Sequence, residues 1–536
     1  MPQTPSMIVL NGRVWTGVEG APEAEAVAIA GDRIAAVGTV RRIRALAGPE
    51  TQIIDAEGRR VIPGITDSHT HFLWAGLQRS RLDLSTARNR VEFIDQVRAA
   101  ADKLSPGQWL LGGRYAVEGW SKPEQPDRSW IDSFTRDHPV YITRTDLHQA
   151  LVNSVTLRIA GITRDGPPDP PGGAIERDPD TGEPTGILKE AATELVMPHI
   201  PEPSRAEHFA AIEAACSQAN EYGITSVHDM SLPADTEVFK DFHHQRGLNL
   251  RIHSYVTTED FAGTWANIQA ERQNNEWLHI RGFKVFADGS LGSRTAYMRE
   301  PYLGIGPAAK YPRGLRSRMA SDWPAFSEKL RWAHEAGAQL AVHAIGDQAV
   351  SDLLDLFTGI PDAGKARHRV EHVQHVLPED PARFARLGVI ASMQPAHKAD
   401  DGPWAEAFIG PQRLESIYAW GSLLNAGATV CFGSDSPVAS NNPFAGLAQA
   451  VTGLLPDGRV LCQAQNIPVR QALKCYTVTP PYAVFREHDL GTLEPNKFAD
   501  LVILDRDVLR IPPEQVGHIL ARWTIVGGRV VWPAGI

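Results

Sequence analysis

The chain has 536 residues, of which 43% are hydrophobic and 22% charged, and its formal net charge is −10. This length exceeds one small domain, and the composition is that of an ordinary soluble globular protein. The charge is too mild to indicate nucleic-acid binding, and no apolar run reaches the roughly 18 residues that a membrane helix needs.

The cysteines and the first residues bear on the cellular location. Four cysteines in so long a chain show no C-x-x-C spacing, which argues against a disulfide framework. The N-terminal segment lacks the basic and apolar regions of a signal peptide. We therefore expect a cytoplasmic protein that acts on a small molecule and has no nucleic-acid or membrane partner. A homodimer is compatible with the sequence, which does not by itself indicate one.

Short strands joined by tight turns are predicted for the first 60 residues. The segments are MIVLNGRVWTG, AVAIAGDRIAAVG and TQIIDAEGRRVIP. Asn11-Gly12 and Gly31-Asp32 each stand between apolar runs, which is a strong hairpin signal.

The segment RVIPGITDSHTH is the first of eight predicted barrel strands, and a long insertion follows it. Residues 73 to about 204 are too many for one helix, and they include the Pro/Gly-rich DGPPDPPGGAIERDPDTGEP. We expect an inserted subdomain over the barrel mouth. Its aromatic residues either line a substrate pocket or form the insertion's own core; these are Trp109, Tyr115, Trp120 and Trp130.

From about residue 205 apolar strands alternate with helical patterns. The predicted strands are 223–230, 249–256, 279–289, 338–347, 368–376, 388–397 and 428–438. Helical patterns such as WPAFSEKLRWAHEAG lie between them, this one with cap candidates at Ser321-Asp322 and a closing glycine. Eight such units predict an α/β fold of the TIM (β/α)8 type, distorted by the insertion after strand 1, with the active site at the carboxyl ends of the strands.

Strand-rich segments return at the C-terminus as FADLVILDRDV and as RWTIVGGRVVW, which turns at Gly527-Gly528. An open sheet with one apolar face needs a partner, and the other terminus can supply it. We therefore expect a small β-sandwich domain built from residues 1–60 and 488–536. The barrel would span 61–487, including the insertion at 73–204.

Polar side chains gather at the predicted strand ends. His69 and His71 stand two apart on strand 1, so both point to one face. A barrel would bring them together with residues of four other strands: Lys284, His343, His372 and Asp435. Each lone histidine is more often a hydrogen-bonded core residue than a ligand. Their joint occurrence favours a metal site instead.

This set of side chains indicates a particular metal chemistry. Neutral imidazoles suit Zn²⁺, and carboxylates accept divalent ions of several kinds. Four histidines and an aspartate exceed the ligands of one catalytic zinc, so two metals are plausible, with a bridging ligand between them. Lys284 stands where a bridging carboxylate is needed. Its neutral amine could react with CO2 to give a carbamate, or the lysine could bind substrate unmodified.

Several motifs in order carry a family resemblance. They are PGITDSHTH, RGFKVFADGSLGSRTA, VHAIGD, VEHVQH, SMQPAH, FGSDSPV and GTLEPNKFADLVILD. Together they resemble the amidohydrolase superfamily, in particular its family 3, which includes enzymes like N-substituted formamide deformylase. The resemblance covers nearly the whole chain.

The resemblance implies two zinc ions and their ligands. One ion would be held by His69, His71, N-carboxylated Lys284 and Asp435, and the other by Lys284, His343 and His372. Metal coordination lowers the pKa of water toward neutrality and so supplies a hydroxide. Asp435 would be the catalytic base and then the acid in hydrolysis of an amide or N-formyl-like C–N bond.

Further residues are candidates for contacts to substrate or to ligands. Substrate candidates are Asp288, Arg294, His148, His375 and His397; the alternative for Asp288 and Arg294 is that they only order a Gly-rich loop. Leu147 stands before His148 where the family usually has glycine, which puts that role in doubt. Expected supports of the metal ligands are Asp67, His228 and Asp229, the last two of which could equally be plain structural residues.

Two other functions remain open at this level. The same site would serve for an ester, a carbamate or a cyclic amide. A non-catalytic scaffold would keep the fold, but it would be expected to have lost ligands, and none is missing here. The physiological substrate is beyond sequence reasoning, because fold does not determine it.

Overall fold

The computed structural model describes residues 4–115, 117, 120–122, 124–144, 149–170, 173–270, 276–292, 294–304 and 311–533. The chain forms two compact units, one of Met1–Leu73 with Ala215–Ile536 and one of Trp74–Ala214. None of the helices in these described ranges combines the length and the apolar character needed to cross a membrane.

The N-terminal segment forms six strands and one short helix: β1 Met7–Leu10, β2 Arg13–Val14, β3 Ala26–Ala30, β4 Arg33–Gly38, α1 Val40–Arg44, β5 Gln52–Asp55 and β6 Arg60–Pro63. Strands β3 and β4 pair antiparallel around Gly31-Asp32, as predicted. The hairpin predicted at Asn11-Gly12 is wrong. Strand β1 pairs with β3 and β5 in one sheet, whereas β2 pairs with β6 in another, so this turn carries the chain from one sheet to the other.

The first barrel strand, β7 Ile65–Thr70, leads through α2 Phe72–Arg79 into the second unit. That unit contains β8 Leu82–Asp83, α3 Arg90–Ala101, β9 Leu110–Tyr115, β10 Val140–Arg144, β11 Gln149–Val152, α4 Ser154–Ile159, β12 Gly173–Arg177 and β13 Pro184–Glu190. Its six strands form one sheet in the order β12-β13-β11-β10-β9-β8.

The second unit has a hydrophobic core of its own. Tyr115, Trp120 and Trp130 are buried in it, and the last two rings stack with centroids 6.5 Å apart. Of the two alternatives for these aromatic residues, the structure favours the core. Trp109 packs partly buried against a smaller cluster of the same unit. A position of this unit over the barrel mouth stays a prediction.

The remaining barrel elements follow in alternation: α5 Arg205–Glu221, β14 Ile224–Ser231, α6 Pro233–Arg246, β15 Arg251–Val256, α7 Phe261–Ala270, β16 Leu278–Phe286, α8 Trp323–Glu335, β17 Gln339–Ala344, α9 Asp347–Thr358, β18 Arg369–His372, α10 Asp380–Leu387, β19 Ile390–Met393, α11 Pro395–Ile409, α12 Trp420–Asn425, β20 Val430–Phe432, α13 Pro443–Thr452, α14 Val469–Thr477 and α15 Thr479–Ala483. Helix α8 begins after the predicted cap Asp322, whose side chain accepts a hydrogen bond from the amide of Ala325.

Eight parallel strands form the predicted distorted TIM barrel, in the order β7-β14-β15-β16-β17-β18-β19-β20. The sheet nearly closes where the chain beyond β20 meets β7. There the amide of Ser434 donates to the carbonyl of His69 at 3.2 Å, and the amide of His71 donates to the carbonyl of Ser436 at 2.8 Å. The closing contact therefore involves the same segments that carry the predicted ligands.

The C-terminal strands are β21 Leu501–Leu504, β22 Ala521–Val526 and β23 Arg529–Trp532. They complete a five-stranded sheet in the order β2-β6-β21-β22-β23, which shares a hydrophobic core with the sheet β4-β3-β1-β5. Strands β22 and β23 turn at Gly527-Gly528, as predicted. Both termini thus contribute to one β-sandwich.

A buried ion pair joins this sandwich to the barrel. The guanidinium of Arg251, at the start of β15, donates to both carboxylate oxygens of Asp500 at 2.8 and 3.1 Å. The side chains are 0% and 5% exposed. The amide of Gly527 also donates to Asp500, at 2.7 Å. Removing one partner of such a pair leaves the other charge buried and uncompensated.

We therefore expect Arg251→Ala to lower the free energy of unfolding by about 3–5 kcal/mol, as measured by chemical denaturation. The matched control is Arg318→Ala, because Arg318 pairs with Glu259 at 2.7 Å but is 86% exposed. A surface pair of this kind contributes at most about 1 kcal/mol. Equal losses in the two variants would contradict the prediction.

Candidate metal centre

The predicted ligands converge at the carboxyl end of the barrel. Asp435 is the common neighbour, with its Oδ1 3.3 Å from Nε2 of His71 and 3.5 Å from Nε2 of His69. The amine of Lys284 lies 3.2 Å from the same His69 nitrogen. The ring of His372 lies 4.8 Å from that of His69, between centroids.

The last predicted ligand, His343, continues this cluster. Its ring lies 4.5 Å from that of His372. Its Nε2 lies 3.0 Å from the carbonyl oxygen of Gly289, and a carbonyl only accepts, so Nε2 carries the proton. The lone pair of the neutral ring is then on Nδ1. The structure therefore brings all six predicted ligands into one cluster.

Among the described residues, two groups of side chains each have one ligand atom per residue within 4.8 Å of the others: His69, His71 and Asp435, and His372, His397 and Asp435. The second group includes His397, which the sequence marks only as a substrate candidate. Asp435 belongs to both groups.

Left-handed backbone at two residues helps to direct these side chains. The φ angles are +75° at His372 and +60° at Asp435, which few residues other than glycine adopt. Such conformations cluster at functional sites, where the surrounding fold holds them. At His372 the turn breaks the alternation of β18, so that both His372 and the preceding Glu371 approach His69.

The protonation states of the cluster suit a cation. Burial, followed by the charge of Lys284, lowers the pKa of His69 to about 4. The same two causes lower the pKa of His343 to about 3, and burial holds that of His372 well below its usual value. Burial would raise the pKa of Asp435, but the hydrogen bond with His71 and the nearby histidines hold it well below its usual value.

These residues fit a divalent metal on their own chemistry. Neutral imidazoles and an ionised carboxylate are the donors that zinc and similar ions take. The Nδ1 atom of His372 is buried and has no hydrogen-bond partner in the described part of the chain. A buried polar atom of this kind is normally satisfied, and a metal ion would satisfy it.

A buried ion pair that the sequence prediction missed orients His69. Nδ1 of His69 lies 2.6 Å from a carboxylate oxygen of Glu371, so Nδ1–H donates and the lone pair is on Nε2, facing Asp435 and Lys284. Arg369 in turn donates to both oxygens of Glu371 at 2.7 and 2.8 Å. Burial would raise the pKa of Glu371, but the charge of Arg369 and the bond from His69 hold it well below its usual value.

Arg369 also contacts three further barrel strands. It donates to the carbonyl of Ser68 at 2.6 Å, to the hydroxyl of Ser392 at 2.8 Å and to Nδ1 of His228 at 2.6 Å. This hydrogen bond joins His228 to Arg369 and not to a predicted ligand, so the expected support of the ligands by His228 stays a prediction. One sequence signal could have revealed the missed ion pair. Arg369 and Glu371 stand two apart on one strand, so both side chains point to the same face.

Two aspartates expected to support the ligands bind backbone and hydroxyl groups. Asp67 accepts from the amides of His69 at 3.2 Å and Ser434 at 2.8 Å, and from the hydroxyl of Ser434 at 2.5 Å. Asp229 accepts from the amide of Phe72 at 2.6 Å. Burial raises the pKa of Asp67 to about 6 and that of Asp229 to about 7.

The two candidates on the Gly-rich loop, Asp288 and Arg294, make different contacts. Asp288 accepts hydrogen bonds from the amides of Ile345, Gly346 and Tyr297, so the structure favours its loop-ordering alternative. The guanidinium of Arg294 lies over the ring of Phe408, 4.2 Å from its centroid.

Among the histidine candidates, His375 is buried with neither ring nitrogen hydrogen-bonded within the described ranges. His397 lies beside Asp435, with Nε2 and Oδ2 3.7 Å apart. The predicted substrate candidate His148 falls outside the described residues.

Known proteins resemble the chain over almost its full length. A model of the amidohydrolase family matches residues 52–532. Protein LONG AFTER FAR-RED 3 of Arabidopsis thaliana is 34% identical, over 98% of this chain and 91% of that protein. N-substituted formamide deformylase of Arthrobacter pascens is 26% identical, over 98% of each. The crystal structure of an uncharacterized metal-dependent hydrolase from Pyrococcus horikoshii OT3 aligns with a TM-score of 0.78 and 26% identity, covering 95% of this chain and 99% of that one.

We expect Glu371→Gln to weaken zinc binding about 10-fold to 100-fold, since an amide no longer fixes the His69 tautomer or balances Arg369. Competition with a chromophoric zinc chelator measures the affinity. The exposed Glu335→Gln is the matched control and is expected to bind zinc as the wild type does. An unchanged affinity in Glu371→Gln would show that this hydrogen bond does not position the ligand.

Proposed function

Because this chain belongs to the amidohydrolase family, we propose that it hydrolyses the C–N bond of an amide or N-formyl-like substrate at a centre of two divalent metal ions. Family membership and the likeness to a metal-dependent hydrolase support metal-dependent hydrolysis in general. The observation that carries the two-ion part of the proposal is the convergence of six candidate ligands at the carboxyl end of the barrel, more than one catalytic zinc takes.

The ligands divide between two ions in this proposal. His69, His71 and Asp435 would hold one ion, and His343 and His372 the other, with Lys284 between them. Bound divalent ions lower the pKa of water and polarise a substrate carbonyl, which is the chemistry that amide hydrolysis needs. We favour zinc because imidazoles dominate the donor set.

Lys284 would supply the bridging carboxylate after reaction with CO2. Burial lowers the pKa of its amine to about 8, so that a minor neutral fraction, about a tenth, is present at pH 7. Only the neutral amine attacks CO2, forming an N–C bond and releasing a proton. The resulting carbamate is an anion that suits a position between two cations, where an ammonium would be repelled.

Asp435 would carry the proton during the reaction. Its Oδ1 faces His69 and His71, and its Oδ2 faces His397. As a carboxylate it would accept a proton from the attacking water, and it would then donate this proton to the leaving amine. Breaking an amide requires this second step, because without the added proton the nitrogen would have to leave as an anion, which is a poor leaving group.

We expect the purified protein, loaded with zinc, to turn over at least one member of a panel of N-formyl, N-acyl and cyclic amides. N-Formyl amides are placed first because a relative bears the name N-substituted formamide deformylase. An ester and a carbamate that carry the same substituents as the amides serve as comparison substrates. Turnover of these alone would reject amides in favour of the other carbonyl substrates, and near-absence of bound metal together with no activity would favour a non-catalytic scaffold.

We expect Lys284→Ala to bind fewer than two zinc ions and to lose at least about 100-fold in turnover, because the bridge is absent. Metal analysis by mass spectrometry and steady-state kinetics measure the two effects. Adding short carboxylic acids, which can fill the space as a bridge, is expected to restore part of the activity. A variant with full metal content and full turnover would refute the bridging carbamate.

A further inference from the structure

Two histidines beside Asp435 make opposite hydrogen bonds through Nδ1. In His69 the partner is the carboxylate of Glu371, which only accepts, so Nδ1 carries the proton and Nε2 holds the lone pair. In His397 the partner is the side-chain amide nitrogen of Gln374, at 3.2 Å. An amide nitrogen only donates, so Nδ1 of His397 accepts and Nε2 carries the proton.

The position of Gln374 is well fixed. It lies two residues beyond His372 and is 3% exposed, and its backbone carbonyl accepts a hydrogen bond from the backbone amide of Tyr418 at 2.7 Å. His397 lies in the first turn of α11 and is 8% exposed. The donor Gln374 thus follows strand β18, the acceptor His397 follows strand β19, and both side chains are buried.

Nε2 of His397 is a buried donor that has no hydrogen-bond partner in the described part of the chain. Its distance of 3.7 Å from Oδ2 of Asp435 is too long for a hydrogen bond. Buried donors are rarely left unpaired in native structures. This one lies beside Asp435, the proposed carrier of the proton, and therefore where the reacting carbonyl of the substrate would bind.

We propose that His397 is a catalytic hydrogen-bond donor to the substrate carbonyl oxygen, and that Gln374 is the positioning residue that holds it in the donor tautomer. The proposal rests on the proposed amide hydrolysis. It also assigns His397 a role other than metal ligand, although its nitrogen lies within ligand distance of His372 and Asp435. A ring whose Nε2 carries a proton cannot coordinate a metal through that atom.

The chemistry favours a neutral donor at this place. During attack on an amide the carbonyl oxygen gains negative charge, and a preorganised N–H stabilises that charge in a water-poor site. The N–H does not transfer its proton, so the neutral imidazole is regenerated without any further step. The C–N bond then breaks as the electrons return from the oxygen.

The first test is His397→Ala, compared with the wild type and with His488→Ala as the surface control, since His488 is 91% exposed. For the best amide of the panel, kcat is expected to fall about 10²-fold to 10³-fold. Zinc content is expected to stay at the wild-type value. A loss of zinc in His397→Ala would overturn the proposal, because it would make His397 a ligand.

A second readout does not depend on the identity of the substrate. Inorganic phosphate is a tetrahedral anion whose oxygens can accept the Nε2–H bond. Calorimetry with zinc-loaded protein is expected to show about 10-fold to 100-fold weaker phosphate binding in His397→Ala. If the wild type hydrolyses no amide, the proposed function fails, but this measurement and the zinc content still decide the role of His397. Unchanged phosphate affinity would overturn the donor role.

The positioning role is tested with the imidazole in place. Gln374→Glu exchanges a donor for an acceptor, which moves the proton of His397 to Nδ1 and removes the donor from Nε2. This variant is expected to lose kcat and phosphate affinity about as much as His397→Ala does. Gln374→Asn, which keeps the amide, is expected to recover part of both. Wild-type kcat and phosphate affinity in Gln374→Glu would overturn the assignment of Gln374.

Discussion

The candidate site depends on one buried ion pair, between Arg369 and Glu371 of β18. Both side chains are fully buried, so each charge is tolerable only beside the other. Glu371 can then accept a hydrogen bond from Nδ1–H of His69 while remaining ionised, and Arg369 donates its other hydrogen bonds to strands β7, β14 and β19. The same pair thereby orients His69 and links β18 to three other strands of the barrel.

Hydrogen-bond partners, more than residue type, decide what each histidine in this cluster can do. His69 and His397 are chemically identical and lie beside the same carboxylate. A glutamate behind one and a glutamine behind the other give them opposite tautomers. In our proposal, this oxygen-for-nitrogen difference in a supporting side chain separates a metal ligand, His69, from a hydrogen-bond donor, His397.

The sequence predicted the barrel and the sandwich from local strand, helix and turn patterns, and it predicted the six clustered side chains because parallel barrel strands bring their carboxyl ends together. The two-residue spacing of His69 and His71 is one example. The misread turn at Asn11-Gly12 shows the limit. A local turn signal is the same whether the next strand pairs with the last one or crosses to another sheet, and only distant partners decide between them.

The roles of Glu371 and Gln374 were beyond the sequence for a related reason. Their partners lie on other elements, His69 on β7 and His397 in α11, and the left-handed φ of His372 interrupts the alternation from which side-chain direction is read. Spacing along one strand indicates which face a residue shares. It does not indicate which atom of a neighbouring strand it will meet.

The sandwich has a consequence for how this chain is made. Strand β6 pairs with β21 through Val61 and Ile503, about 440 positions later in the chain. At about 5–20 residues per second the ribosome needs roughly 20–90 seconds to supply that partner. During this interval the N-terminal strands present an open edge and an apolar face, as unpaired strands in general do. We therefore expect nascent chains of this topology to bind chaperones that cover the early β-strands until synthesis is nearly finished.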